Sequence, residues 1–169
     1  MKHVKQFESM ITDINVSLSD LEVLPDLPNE LRELRCSGNR LTSLPTLPST
    51  LTVLYCDDNN LSELPELPDT LVDLGCNGNV LSELPNLPNG LEYLGCDDNN
   101  LTSLPILPDT LFELTCNNNK LTELPLHLPK SLEYLSCDGN GLPYKNIHGY
   151  RKWIKENHPD VYDASKFNI

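Results

Sequence analysis

Hydrophobic and polar positions repeat along the chain with a period of twenty residues. In residues 51–70 the apolar positions that recur from repeat to repeat include Leu51, Leu54, Cys56 and Leu61. Leu54 and Cys56 lie two residues apart, which is the spacing of side chains on one face of a short β-strand. One such strand cannot bury its apolar side alone. We therefore predict that strands from successive repeats stack in parallel, about 4.8 Å apart.

The second half of each repeat contains two prolines that are three residues apart. In residues 51–70 they are Pro65 and Pro68, within the run Leu-Pro-Glu-Leu-Pro. Proline fixes φ and biases the preceding residue towards extended backbone, so this arm is predicted to be polyproline II and not a helix. Each turn of the coil is then narrow, with a parallel sheet on its inner, concave face and polyproline II segments on its convex face.

Two columns of identical residues accompany the leucines. Cysteine occupies the sixth position of the unit and asparagine the ninth. The cysteines are Cys36, Cys56, Cys76, Cys96, Cys116 and Cys137, and the asparagines are Asn39, Asn59, Asn79, Asn99, Asn119 and Asn140. We expect the cysteines to be small buried hydrophobes. Each asparagine amide is expected to bond the backbone of the bend that leaves the strand.

The unit L-x-x-L-x-C-x-x-N-x-L-x-x-L-P-x-L-P covers about residues 11–142. It resembles the twenty-residue leucine-rich repeats of bacterial type III secreted effectors, and short repeat proteins of this kind also occur in large DNA viruses. The resemblance implies a leucine-rich-repeat solenoid, a right-handed superhelix that binds partners with its concave face. Some of the effectors carry a separate ubiquitin-ligase domain, and we expect none here because 169 residues leave no room for it.

The repeats divide the chain into three regions. Residues 1–10 are predicted to be an N-terminal extension, residues 11–142 the repeats and residues 143–169 a C-terminal cap. The repeats comprise a degenerate first rung (11–30), full rungs (31–131) and a last partial rung (132–142). One extra residue between Leu124 and Pro129 predicts a bulge on the convex side.

The C-terminal cap has apolar residues at helical spacing. They are Ile147, Tyr150, Trp153 and Ile154. With Asn146 as an N-cap and Pro159 as a stop, this spacing predicts a helix over about 146–157 that covers the last rung. The basic residues on its other side leave a docking helix as an alternative.

The formal net charge of −13 is concentrated in the repeats. Residues 11–142 hold 21 acidic and five basic side chains, a net −16. This charge disfavours nucleic acid, which requires a basic stripe, and favours a partner protein with a basic surface. We find no secretory signal and no apolar run that could span a membrane. With six cysteines and no leader, we expect a monomer in the cytoplasm, or in the host cytoplasm for an effector or viral protein.

The variable positions of the strands define the candidate binding face. The third position reads Glu33, Val53, Asp73, Tyr93, Glu113 and Tyr134, and the seventh reads Ser37, Asp57, Asn77, Asp97, Asn117 and Asp138. Each rung places one carboxylate in these two columns, on alternating sides. One interpretation is that the alternation merely spaces like charges on a solvated sheet. The other is an acidic binding face with aromatic anchors and a shallow trough at Gly75 and Gly95. The candidate partner-binding residues are Tyr55, Tyr93, Phe112, Tyr134, Asp57, Asp73, Asp97, Glu113 and Asp138.

The sequence offers little support for catalysis or for a cofactor. The thiols have acidic flanks instead of the basic neighbours that activate a nucleophile, and one cysteine per rung gives no Cys-x-x-Cys zinc pair. The acidic runs at residues 56–60 and 96–100 do not obviously converge on one calcium ion. We therefore predict a non-catalytic protein-binding module without cofactor or metal. The alternatives are a structural or self-assembling repeat protein and, third, a calcium-binding one.

Overall fold

A computed structural model describes residues 11–159 as a seven-stranded parallel sheet followed by one helix. The strands are β1 (Asp13–Asn15), β2 (Glu33–Arg35), β3 (Val53–Tyr55), β4 (Asp73–Gly75), β5 (Tyr93–Gly95), β6 (Glu113–Thr115) and β7 (Tyr134–Ser136), and the helix is α1 (Ile147–Asn157). The strands lie in the sheet in the order in which they occur in the chain. This arrangement confirms the predicted solenoid. The predicted extension 1–10 and the end of the predicted cap, 160–169, lie outside the described residues.

Each strand is three residues long, and strands β2 to β7 each bury one leucine at their centre. Leu54 pairs in register with Leu34 on one side and Leu74 on the other, and all three side chains are buried. The residues on either side of each leucine point away from this core and are at least partly exposed in most rungs. Burying one leucine side chain stabilises the fold by about 1.5–3 kcal/mol, so the leucine columns supply most of the driving force.

The asparagine column satisfies the backbone of the bends, as predicted. The Asn59 amide nitrogen donates to the carbonyl oxygens of Cys36 (3.1 Å), Cys56 (3.1 Å) and Asp57 (3.0 Å). Its side-chain oxygen accepts a hydrogen bond from the backbone N–H of Leu41 at 3.0 Å. The same bonds recur from rung to rung, so each asparagine joins its own bend to that of the preceding rung.

The extra residue of the last full rung is accommodated outside the sheet. Glu113 still pairs in register with Tyr134, and the chain bends at Leu126 and His127 instead. The hydroxyl of Tyr150 in α1 donates to the carbonyl oxygen of Leu126 at 2.7 Å. The inserted bend is thereby fastened to the helix that covers it.

Helix α1 closes the C-terminal end of the sheet, which confirms the predicted cap. The side-chain oxygen of Asn146 caps its first turn by accepting from the Gly149 N–H at 2.9 Å. Tyr150 and Ile154 are fully buried, whereas Trp153 is only partly so. The buried contact is therefore made mainly by the tyrosine and the isoleucine. No helix within residues 11–159 is long and apolar enough to cross a membrane.

Tyr150→Phe is expected to lower the free energy of unfolding by about 1 kcal/mol, because the hydroxyl donates to the carbonyl oxygens of Pro125 and Leu126. The measurement is urea unfolding followed by circular dichroism. Tyr134→Phe is the matched control, since Tyr134 is 52% exposed, and it should change stability by less than about 0.5 kcal/mol. Equal effects of the two substitutions would contradict a role for the bulge contact.

Candidate functional site

The candidate site lies on the concave face, which we define as the side of the sheet that carries the third and fifth residues of each rung. In the third column Tyr93 stands between Asp73 and Glu113 in register. The fifth column reads Arg35, Tyr55, Gly75, Gly95, Thr115 and Ser136. The fifth column therefore has no side chain at Gly75 and Gly95, whereas every residue of the third column beside it has one.

A groove of about 380 Å³ occupies the centre of this face, and we call it the glycine groove. It is lined by Tyr55, Asp57, Asp73, Leu74, Gly75, Asn77, Tyr93, Leu94, Gly95, Glu113 and Thr115. A Cβ added to Gly75 would lie 3.0 Å from the Tyr55 ring and 3.0 Å from an Asp57 oxygen. A Cβ on Gly95 would lie 3.0 Å from the Asn77 amide nitrogen. The two glycines thus leave room for side chains of the preceding rungs and for the groove itself.

Tyr55 is held across the groove by its neighbours. Its hydroxyl donates to a carboxylate oxygen of Asp73 at 2.5 Å. The Arg35 guanidinium carbon lies 5.6 Å from the centroid of the ring, and Arg35 also pairs with Glu33. The hydrogen bond to Asp73, assisted by burial, raises the pKa of Tyr55 to about 12. The phenol is therefore a protonated donor near neutral pH.

The seventh column forms a hydrogen-bonded ladder along the edge of the groove. One oxygen of Asp57 accepts from both the backbone N–H (2.9 Å) and the amide (2.7 Å) of Asn77. The Asn77 oxygen accepts from the Asp97 N–H at 2.8 Å, and Asp97 repeats the first arrangement with Asn117. An asparagine can accept from the rung ahead and donate to the aspartate behind, whereas two successive aspartates would lack that donor. The alternation of Asp and Asn therefore has a hydrogen-bonding cause in addition to charge spacing.

Three exposed aromatic residues flank the groove on its C-terminal side. Tyr93 and Phe112 are each 38% exposed and their rings form a tilted pair with centroids 6.1 Å apart. Tyr134 is 52% exposed and stands beside Glu113 in register. The backbone N–H groups of these three residues donate to carbonyl oxygens of preceding rungs, and more than a third of each side chain is exposed for contact with another molecule.

The structure brings most of the predicted binding residues together. The five that line the glycine groove are Tyr55, Asp57, Asp73, Tyr93 and Glu113. Phe112 and Tyr134 adjoin them, whereas Asp97 belongs to the ladder and does not line the groove. Asp138 lies at the end of the sheet, where Lys145 pairs with it at 2.9 Å. This hydrogen bond lowers the pKa of the Asp138 carboxyl.

Three contributors to the site are not among the predicted binding residues. Asn77 and Thr115 line the groove, and their only signal was their place in the seventh and fifth columns. Lys145 neutralises Asp138 from outside the repeats, and nothing in the repeat pattern indicates that contact. Asp57, Asp73 and Glu113 line the groove at the centre of this face, whereas the carboxylate of Asp138 at its end is paired with Lys145.

The cysteine column lies behind the sheet and is buried throughout. Burial, followed by the nearby Asp57, raises the pKa of the Cys36 thiol to about 12, and burial raises that of Cys137 to about 11. The pKa values of the thiols between them are raised as well, above all by burial. All six are free thiols. Among residues 11–159, no three His, Cys, Asp or Glu side chains are placed to hold a metal ion.

These thiols are expected to resist Ellman's reagent in the native protein, because burial removes both access and thiolate. Labelling in native buffer should be at least about a thousandfold slower than in 6 M guanidinium, where six thiols per chain should react at once. The measurement is absorbance of the released thionitrobenzoate. Rapid native labelling of any thiol other than the terminal Cys36 or Cys137 would contradict a packed column.

The chain is similar to known proteins in both sequence and structure. The Leucine Rich Repeat family model matches residues 30–51. The structure is similar to YopM from Yersinia enterocolitica WA-314, with 41% identity over 77% of this chain and a TM-score of 0.72. It is also similar to YopM, a leucine-rich effector protein from Yersinia pestis, with 34% identity over 76% of this chain and a TM-score of 0.64. The chain spans 28% and 43% of those two chains.

A third solved structure is similar over nearly the whole chain. It is a Shigella effector leucine-rich repeat domain, with 32% identity, a TM-score of 0.72, and coverage of 94% of this chain and 81% of that domain. No curated protein matches the chain. The repeat domains of secreted bacterial effectors therefore share both its repeat sequence and its solenoid structure.

Proposed function

Because the chain belongs to the leucine-rich repeat family, we propose that it is a non-catalytic module that binds a partner protein on its concave face. Leucine-rich repeat domains are in general protein-interaction modules, and those of the effectors are typically scaffolds without catalysis. The observation that carries the proposal is the exposed aromatic group, Tyr93, Phe112 and Tyr134, beside the glycine groove. Aromatic side chains with polar neighbours are the usual anchors of protein interfaces.

The partner is proposed to present a basic surface. Asp57, Asp73 and Glu113 line the groove, and the chain carries a net charge of −13. Such a face steers a basic protein towards it, and salt weakens the attraction by screening. We further propose that the chain is a monomer that acts in a cytoplasm, which for a secreted effector or a viral protein is that of the host. Six free thiols suit a reducing compartment.

The experiment is an affinity pull-down from cytosol at low and high salt, followed by affinity measurement with the protein recovered. Tyr93→Ala/Tyr134→Ala should weaken that binding by about a hundredfold or more, since two central aromatic anchors are removed. The matched control is Val80→Ala/Ile106→Ala, which removes two exposed apolar side chains from outside the sheet and should bind normally.

Two results would contradict the proposal. One is unchanged binding of the recovered protein by Tyr93→Ala/Tyr134→Ala. The other is recovery of only the chain itself, with multimers in analytical ultracentrifugation, which would favour a self-assembling repeat protein. Binding that is unaffected by salt would overturn the basic partner while leaving the aromatic interface in place.

A further inference from the structure

We propose that the glycine groove receives an arginine side chain of the partner protein, a specificity that rests on the protein-binding function proposed above. The volume of about 380 Å³ is near the lower end of ligand pockets, which span about 300–1,000 Å³. It suits one long side chain and is too small for a helix or a strand. The groove is therefore a socket within a wider interface.

The walls of the groove carry the two kinds of group that a guanidinium binds. Tyr55 and Tyr93 supply aromatic rings, and Asp73 and Glu113 lie on either side of Tyr93 in register. None of the described residues that line the groove is basic. A guanidinium can lie flat on a ring while its N–H groups donate to a carboxylate beside it. A lysine ammonium is a compact, strongly hydrated charge and does not combine the two contacts in this way.

The chain already shows this mode of binding on the same face. Arg35 occupies the fifth column in β2, where its guanidinium carbon lies 5.6 Å from the Tyr55 ring centroid and its N–H groups pair with Glu33. Two and three rungs further on, the same column holds Gly75 and Gly95. A tyrosine and carboxylates are again present there, but the chain supplies no arginine of its own. An arginine from outside would complete the arrangement that the second rung makes internally.

The glycines are what keep the socket open. At Gly95 even a Cβ would press on the Asn77 amide, at 3.0 Å, and a larger side chain would stand in the groove. Thr115 shows that a β-branched residue can occupy the same column one rung later. Gly95→Thr therefore fills the socket with a residue that this strand position accepts elsewhere in the sheet.

The probe is the peptide acetyl-Gly-Gly-Arg-Gly-Gly-amide, titrated into ¹⁵N-labelled protein while the amide signals of Gly75 and Gly95 are followed. The comparison peptides carry citrulline, a neutral isostere, or lysine in place of arginine. We expect the arginine peptide to shift both signals and to bind at least about tenfold more tightly than either comparison peptide. Unmoved signals, or equal affinity for the lysine peptide, would overturn the proposal.

The variants separate the socket from the fold and from the wider interface. Glu113→Gln keeps the shape of the side chain and should weaken binding of the arginine peptide by about tenfold. Glu123→Gln makes the same charge change outside the sheet and should have no effect. Gly95→Thr should abolish the shifts of Gly75. Unaltered binding of the peptide by Glu113→Gln and Gly95→Thr would overturn the socket.

Different results would contradict the arginine socket and the proposed protein-binding function. If the partner recovered by pull-down binds Glu113→Gln and Gly95→Thr as well as it binds the wild type but loses Tyr93→Ala/Tyr134→Ala, the socket is wrong and the protein-binding face stands. If it binds all three variants normally, both proposals are wrong. Loss of the partner with Glu113→Gln, and not with Glu123→Gln, supports both.

Discussion

Asn59→Ala is expected to lower the free energy of unfolding by about 3 kcal/mol, whereas Asn60→Ala, one residue further on, should change it by less than about 0.5 kcal/mol. Asn59 is 7% exposed, and its side-chain oxygen is the acceptor for the Leu41 N–H. Alanine leaves that buried N–H without its acceptor, whereas the carbonyl of Asp57 keeps the bond that the Gly38 N–H donates to it. The orphaned N–H costs about 1–3 kcal/mol, and the loss of the amide's bonds to carbonyl oxygens adds about 0.5–1.5 kcal/mol. The Cys36 carbonyl keeps a bond, because the Asn39 amide also donates to it.

Guanidinium unfolding followed by circular dichroism measures both variants. Asn60 has an exposed side chain, so it controls for the loss of an asparagine in the same bend. Asn59→Asp adds a second check: it keeps an acceptor for Leu41 but turns a carboxylate towards three carbonyl oxygens, and it should also destabilise the protein. Equal stability of Asn59→Ala and Asn60→Ala would show that a buried asparagine of the ninth position contributes no more to stability than an exposed one.

The bond from Asn59 to Leu41 also crosses from one rung to the previous one. In a solenoid each repeat contacts only its neighbours, so stability is a sum of repeat terms and interface terms. Removing Asn59 weakens one interface and lets the rungs before it separate from those after it. We expect the unfolding transition to broaden as well as shift, which a substitution confined to one rung would not cause.

The nearest-neighbour character of the fold also explains how much of it the sequence predicts. The period placed Leu54 in a strand and Asn59 in a bend, and both assignments are confirmed. A residue in this fold meets the same column in the rung before and after, so a local pattern decides its surroundings. Helix α1 was predictable for a similar reason, since its apolar spacing and its cap at Asn146 lie within one short segment.

The candidate site was less predictable because it depends on the choices of variable side chains. The strand pattern placed Tyr55 on the concave face, but its position across Gly75 requires the hydroxyl to find Asp73 in the next rung. The ladder of Asp57 and Asn77 depends likewise on which way two short side chains turn. Such choices are worth about 1 kcal/mol each, and the alternation of Asp and Asn in the sequence does not show which way the side chains turn. Only the glycines themselves, at two successive fifth positions, indicated the groove.

Alkaline pH is expected to unfold the protein steeply, through the buried thiols. An unfolded thiol ionises near pH 9, whereas burial raises the pKa of Cys76 and Cys96 far above that value in the folded state. The folded chain thus holds protons that the unfolded chain releases. A raised folded-state pKa gives stability that is complete below pH 9 and is lost as the pH rises towards the folded value. Above pH 9 each thiol then lowers the free energy of unfolding by about 1.4 kcal/mol per pH unit. The six thiols together lower it by about 8 kcal/mol per pH unit.

Cys76→Ala/Cys96→Ala isolates this effect from the ionisation of tyrosines such as Tyr144, whose pKa burial raises to about 12. Tyrosines titrate equally in both proteins, so the difference between the two stability curves reports the two thiols alone. The variant should be less stable near neutral pH by about 2–3 kcal/mol, because each alanine leaves a small cavity. It should lose stability more slowly above pH 9, by about 2.7 kcal/mol per unit, so the curves should cross about one unit above pH 9.

The decisive result is whether the stability curves of the wild type and the cysteine variant cross. The free energy of unfolding of each protein is measured by urea unfolding under reducing, anaerobic conditions from about pH 7 to about 10.5. Leu64→Val/Leu67→Val is the matched control, since it removes buried apolar atoms from the convex arm without touching a thiol. Its curve should stay parallel to that of the wild type at every pH. If only the curve of the cysteine variant crosses that of the wild type, water is excluded from the cysteine column and packing keeps its thiols neutral. Parallel curves for both variants would mean that the thiols ionise within the folded solenoid, which a sealed leucine core does not allow.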